Sequence, residues 1–220
     1  EGETSKTTFL ASVRRSYLQF LFQVIGLPFR PDYWDYQFKV DHQLDEYNTI
    51  TLMGLGSIDD FTASPPDEFD PEQQAQLEQA PFIEQRTNTI GVSWRNRFRS
   101  GKGYMLTTLS NNTLNNNFTR YENPVDETGV LFNNDATESE TKLRYELTQF
   151  IGEWKLSTGA NVQYSDYNNA TVDVVNNAAF TTEIDFAKYG VFANLTRSFL
   201  NETLDLSFGF RMDDDTFTTL

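Results

Sequence analysis

The sequence predicts an all-β fold, an antiparallel up-and-down meander of about nine long strands that forms part of a transmembrane β-barrel. Two observations carry this. The first is alternation: Trp34, Tyr36, Phe38, Val40, His42 and Leu44 alternate with Asp35, Gln37, Lys39, Asp41, Gln43 and Asp45. Strict period-2 alternation marks a strand with one apolar and one wet face. The second is connection length: tight turns at Glu46–Asn48, Ser100–Lys102, Ile151–Glu153 and Leu200–Glu202 alternate with long polar segments at Asp59–Gln85, Asn111–Ser139 and Ser165–Thr181. Short turns at one end of a sheet and long loops at the other are the habit of outer-membrane barrels.

Taken in order, the strands are expected at 7–16, 33–45, 49–58, 86–99, 103–111, 140–150, 154–165, 182–199 and 203–213. Ser16–Pro31 interrupts the first pair, because Tyr17, Leu18, Phe20, Leu21, Phe22, Val24 and Ile25 have helical spacing and Gly26 and Pro28 stop the run. A short packed helix is the plainer reading, and a membrane-surface or partner helix the sharper one. The third strand carries Ile50, Leu52, Gly54, Gly56 and Ile58 on its apolar face. Trp154, Leu156, Val162 and Tyr164 mark the seventh, and Leu204, Leu206, Phe208, Phe210 and Met212 the ninth. One face is thus expected to hold Phe38, Val40, Leu52, Val92, Leu156, Val162, Leu206 and Phe208. Asp41, Gln43, Asn161, Asp205 and Arg211 belong to the other. Aromatics beside the tight turns (Phe98, Tyr104, Phe150, Trp154, Phe199) suggest an interfacial girdle.

The loops look solvated throughout. Asp59–Gln85 has four prolines, a candidate helical turn at Pro71–Glu78 and a run of acids, while Asn111–Ser139 is rich in Asn. Nine strands cannot close a bacterial barrel, whose strand number is even. The sheet is therefore expected to be one part of a longer wall.

The 220 residues carry a net charge of −15. So acidic a chain is a poor nucleic-acid ligand, since phosphate contacts need clustered Lys and Arg. With no cysteine, thiol catalysis, disulfides and thiolate metal sites are excluded. No run of 18 apolar residues offers a membrane helix, and the polar Glu1–Thr8 does not read as a signal peptide. His42 stands alone, with no Gly-x-Ser-x-Gly elbow, so no catalytic residue and no cofactor is expected. Asp59, Asp60, Asp67, Glu68 and Asp70 have oxygen ligands suited to calcium but not the spacing of a calcium loop. They are read as a solvated loop and as the candidate ligand-contact surface. Arg14 and Arg15, adjacent on a strand, must face opposite ways. Five Asn-x-Ser/Thr triplets, at Asn111, Asn117, Asn169, Asn194 and Asn201, are accounted for by the abundance of Asn and Thr.

Val13-Arg14-Arg15-Ser16-Tyr17-Leu18, Gly26-Leu27-Pro28-Phe29, Tyr36-Gln37-Phe38-Lys39-Val40 and Asn48-Thr49-Ile50-Thr51-Leu52 resemble early barrel strands of TonB-dependent receptors, most closely those of Bacteroidetes-type bacteria. Gly209-Phe210-Arg211-Met212-Asp213 resembles a later one. The resemblance implies that residues 1–220 form a middle part of a 22-stranded barrel, without the N-terminal plug or the closing strands. It implies outer-membrane import of a scarce nutrient such as a metal chelate, vitamin, saccharide or peptide. Its implied partners are the TonB complex through the plug, outer-membrane lipid, the nutrient and a surface lipoprotein. The alternative is a soluble extracellular β-rich binding or adhesion module, with its apolar face buried between two sheets.

Overall fold

The computed structural model describes residues 6–63, 71, 77, 80–200 and 203–217. The elements that can be given bounds are β1 (Thr7–Arg15), α1 (Leu18–Val24), β2 (Phe29–Gln43), β3 (Asn48–Ala63), β4 (Phe82–Arg97), β5 (Gly103–Asn123), β6 (Thr128–Ile151), β7 (Trp154–Asp173), β8 (Ala178–Phe199) and β9 (Leu204–Asp215). Each strand pairs antiparallel with its sequence neighbour in a single sheet, in the order β1 to β9. The expected meander is met strand for strand. No helix of the described residues is long and apolar enough to cross a membrane, which says nothing of crossing by strands.

Pairing places residues opposite one another on the same face, so the register carries each side chain's face across the sheet. One row runs Phe9, Val40, Leu52, Val92, Leu109, Leu143, Val162 and Tyr189. All eight residues expected on the apolar face lie there, and Asp41, Gln43, Asn161, Asp205 and Arg211 lie on the other. The apolar run on β7, Trp154 to Tyr164, rises ~33 Å along the strand and ~23 Å when tilted by about 45°. That matches the lipid-facing band of an outer-membrane barrel, about 25 Å tall. The band is kept smooth by glycine: a Cβ at Gly54 would stand 2.3 Å from the Phe38 ring, and one at Gly56 2.7 Å from Tyr36. Their absence lets both rings lie across β3.

Three sequence expectations fail. Asn111–Ser139 and Ser165–Thr181 are not long loops; β5–β6 and β7–β8 run on as paired strands to tight turns at 124–127 and 174–177. Their apolar alternation stops, but the backbone ladder does not. Asn and Thr continue it with cross-strand bonds: Asn111 Nδ2 to Thr141 Oγ1 (2.9 Å), Thr137 Oγ1 to Asn115 Oδ1 (3.0 Å) and Asn133 Nδ2 to Thr119 Oγ1 (2.8 Å). The connection Asp59–Gln85 is also shorter than expected, since β3 reaches Ala63 and β4 begins at Phe82. Nor is it wholly solvated. Leu77, Ala80 and Phe82 are buried, and Phe82 packs edge-on against Tyr121 at 5.1 Å. Of the candidate helical turn Pro71–Glu78, the described Pro71 and Leu77 are helical.

Candidate functional site: the polar wall and its outer extension

The polar face at band level is a wall of paired charges. Arg14 Nε donates to both Asp35 oxygens, at 2.9 and 3.1 Å. Lys39 pairs with Asp41 at 2.8 Å, Lys142 with Glu140 at 2.9 Å, Arg144 with Glu146, and Arg211 with Asp213 at 2.6 Å. Four of these pairs are two residues apart on one strand, the spacing that puts both side chains on one face. Lys39, Asp41, Thr51, Ser93, Arg95 and Arg97 line a shallow hollow here. On the apolar face, charges among the described residues occur only at or beyond the band's margins. Arg15 sits at the outer margin, 2.8 Å from Asp32 and 5.0 Å over the Trp34 ring. Arg197 sits at the turn-side margin, paired with Glu153 and lying between Trp154 and Phe199 at 5.3 and 4.7 Å. Arg14 and Arg15 thus face opposite ways, as their adjacency requires.

Aromatics mark both margins. On the turn side, Trp154 and Phe199 are on the apolar face as expected, whereas the register turns Tyr104 and Phe150 to the polar face. On the outer side stand three tyrosines; the sequence placed Tyr36 and Tyr164 in the apolar series without assigning them to a margin, and did not single out Tyr189. The hydroxyls of Tyr36, Tyr164 and Tyr189 donate to Asn88 (2.5 Å), Asp185 (3.4 Å) and Asp214 (3.0 Å). Asn88 lies in the row of Tyr36 and Asp214 directly opposite Tyr189, so these pairings follow from register.

Of the candidate ligand-contact acids, Asp59 and Asp60 are consecutive residues of β3, opposite Gln85 and Glu84. They face opposite sides of the sheet and cannot share one cation. Asp59 accepts from Ser57 Oγ at 3.0 Å. Asp67, Glu68 and Asp70 lie outside the described residues. No group of three or more metal-ligating side chains occurs among the described residues. His42 stands at the turn-side margin with Nδ1 2.7 Å from Thr7 Oγ1, a structural contact. Asn111 and Asn169 are hydrogen-bonded within strands.

Beyond the outer margin, the polar face of β6–β8 forms an open groove of about 520 Å³ whose lining includes Phe132, Asn134, Tyr167, Asn169, Thr171 and Phe180. Asn134 Nδ2 donates to Thr171 Oγ1, which donates to Asn169 Oδ1, each at 2.8 Å. Asp173 closes one end, but its carboxylate is engaged by the turn, accepting from the Asn176 side chain (2.7 Å) and backbone (2.9 Å). Those bonds, the side-chain one foremost, hold its carboxyl below the ordinary range. Asp45, in the turn between β2 and β3, is lowered likewise, chiefly by the Tyr47 backbone N–H and then by the Asn48 side chain. The groove is therefore aromatic, amide-lined and nearly neutral in a strongly acidic chain. Reading 111–139 and 165–181 as loops hid it, because it exists only once the two ribbons are in register.

No protein-family model and no curated protein sequence matches the chain. Solved structures do. The chain is similar to the copper transporter OprC, at 16% identity and TM-score 0.63 over 84% of this chain and 29% of that one. It is similar to the ferripyoverdine receptor of the outer membrane of Pseudomonas aeruginosa, at 14% identity and TM-score 0.63 over 98% and 34%. It is similar to the RagAB peptide transporter, at 9% identity and TM-score 0.53 over 97% and 31%. These neighbours are transporters and receptors, not enzymes, and the chain spans about a third of their length. With its band, margins and charged inner wall, the chain has the fold of a nine-strand section of an outer-membrane receptor barrel.

Proposed function

We propose that this chain is part of the wall of a TonB-dependent importer in a bacterial outer membrane, of the Bacteroidetes type that its sequence resembles. The observation that carries the reading is the pairing of an unbroken apolar band on one face with ion-paired charges on the other. Only lipid outside and a wet or plugged lumen inside suit both. The soluble alternative needs a second sheet over the apolar face, yet the described strands form one sheet and leave Phe9 82% and Phe208 67% exposed.

In this reading the ribbons β5–β8 and the connection bearing Asp59, Asp60, Asp67, Glu68 and Asp70 face outward and meet the nutrient, be it metal chelate, vitamin, saccharide or peptide. Their negative field disfavours anionic ligands. TonB acts through a plug domain supplied elsewhere in the protein, and a surface lipoprotein is a further partner. The test is uptake by cells carrying the full-length receptor with Phe132→Ala and Phe180→Ala. Surface level and heat-modifiable gel mobility should be unchanged and growth on the limiting nutrient impaired. Unimpaired growth would remove the groove from the ligand path.

A further inference from the structure

Helix α1 leaves most of its apolar side chains uncovered. A surface helix ordinarily packs its apolar stripe inward and shows its polar side to solvent. Here Gln19 is half-buried and Gln23 exposed, yet Leu21 and Val24, with Ile25 just past the helix end, are 53%, 83% and 58% exposed. No charged residue occurs from Ser16 to Phe29, and an arginine stands at either end, Arg15 and Arg30. The helix leaves the sheet at the outer margin of the band, where β1 ends with Arg15 opposite Trp34 while β2 runs on to Phe29. It follows directly on Arg15, which lies over Trp34 on the apolar face, and Tyr17 at its start stacks on Phe20 at 6.2 Å.

We infer that α1 lies flat in the outer headgroup–acyl boundary of the membrane, with Leu21, Val24 and Ile25 among lipid chains. The helix follows directly on the outer margin of the apolar band, where Arg15 lies over Trp34, which names the occupant: the same bilayer, entered a few ångströms higher. A helix too short to span but with one strongly apolar side takes this position, and flanking arginines reach the phosphate level on apolar stems. The inference rests on the reading of the sheet as a barrel wall.

The experiment uses the full-length receptor in bilayers of phosphatidylethanolamine and phosphatidylglycerol. This segment has no cysteine of its own, so nitroxide labels are placed singly at Leu21→Cys and Val24→Cys. Val13→Cys reports the band, and Asp126→Cys reports the aqueous hairpin tip. Folding of each variant is checked by heat-modifiable mobility. The expected result is loss of collisions with a water-soluble nickel chelate and gain of collisions with oxygen at Leu21 and Val24 relative to Asp126, at a depth shallower than Val13. Nickel access at Leu21 and Val24, with Val13 in lipid, overturns the inference and leaves the barrel reading standing. Exclusion of both reagents at the helix also overturns it, in favour of a protein cover. Nickel access at Val13 overturns the barrel reading and the inference together.

Discussion

The lower and outer halves of β5–β8 are one continuous set of strands, yet they are built from different side chains. Below Asn111 and Thr141 one face reads Leu109, Leu143, Val162 and Val191; above them it reads Thr113, Asn115, Thr137 and Asn168. The backbone pairing is the same in both. On the barrel-wall reading, what changes is the surrounding solvent. On that reading each strand of the band separates lipid from a wet lumen, so its residues must alternate. In the extension water lies on both sides, so cross-strand hydrogen bonds between amides and hydroxyls take over. Hydrophobic alternation is thus a report on asymmetry of environment, and only secondarily on strand structure.

The comparison breaks most readily in the band. Ala160→Lys, near the middle of the Trp154–Tyr164 run on the apolar face, should cost about 2–4 kcal/mol, and Asn161→Lys on the adjacent wet face little. Reversible unfolding of the full-length receptor in lipid vesicles measures the difference, and equal losses would void the assignment of faces. Next comes the small buried cluster at the foot of the β3–β4 connection. Leu77→Ala should cost ~2 kcal/mol, since a fully buried leucine is removed. Hydrogen exchange should show the loosening around Phe82 and Tyr121 and not in the band. In the extension, Thr171→Val deletes the hydroxyl of a residue that is 4% exposed, one that bonds on both sides, for a cost of about 1 kcal/mol. Normal nutrient affinity and normal exchange in that variant would mean that the amide chain across the groove has no structural weight.

The smallest effect is on pH. Asp45 and Asp173 have lowered carboxyls, so each stabilises its turn above the ordinary carboxylate range, and the contribution is lost as pH falls through the lowered value. Acidification should therefore quicken amide exchange at Tyr47 and Asn176, and Asp173→Asn should flatten the response at Asn176. A response at Asn176 that survives the substitution would place the titrating group elsewhere.

The same distinction explains what was legible in the sequence. Nine strands, their order and their faces were readable because Trp34 to Leu44 and Leu204 to Met212 alternate apolar with polar residues. The reach of β5–β8 was not, because Asn and Thr runs such as Asn111–Asn117 look identical in a coil and in a doubly hydrated ribbon. Burial of Phe82 was hidden for a different reason, since it packs on Tyr121, distant in sequence. The acidic candidates were legible as composition only, and the facing of Asp59 and Asp60 came from register.

The charges of the wall have one more consequence. Lys39–Asp41, Glu140–Lys142, Arg144–Glu146 and Arg211–Asp213 each lie on a single strand, so every one of these cations brings its counter-ion with it. A surface built this way is self-neutralised before anything touches it. A solute gliding along it meets short dipoles that can tilt and recover, with no long-lived ionic bond to be torn at each step, much as a bearing race is kept from gripping the ball.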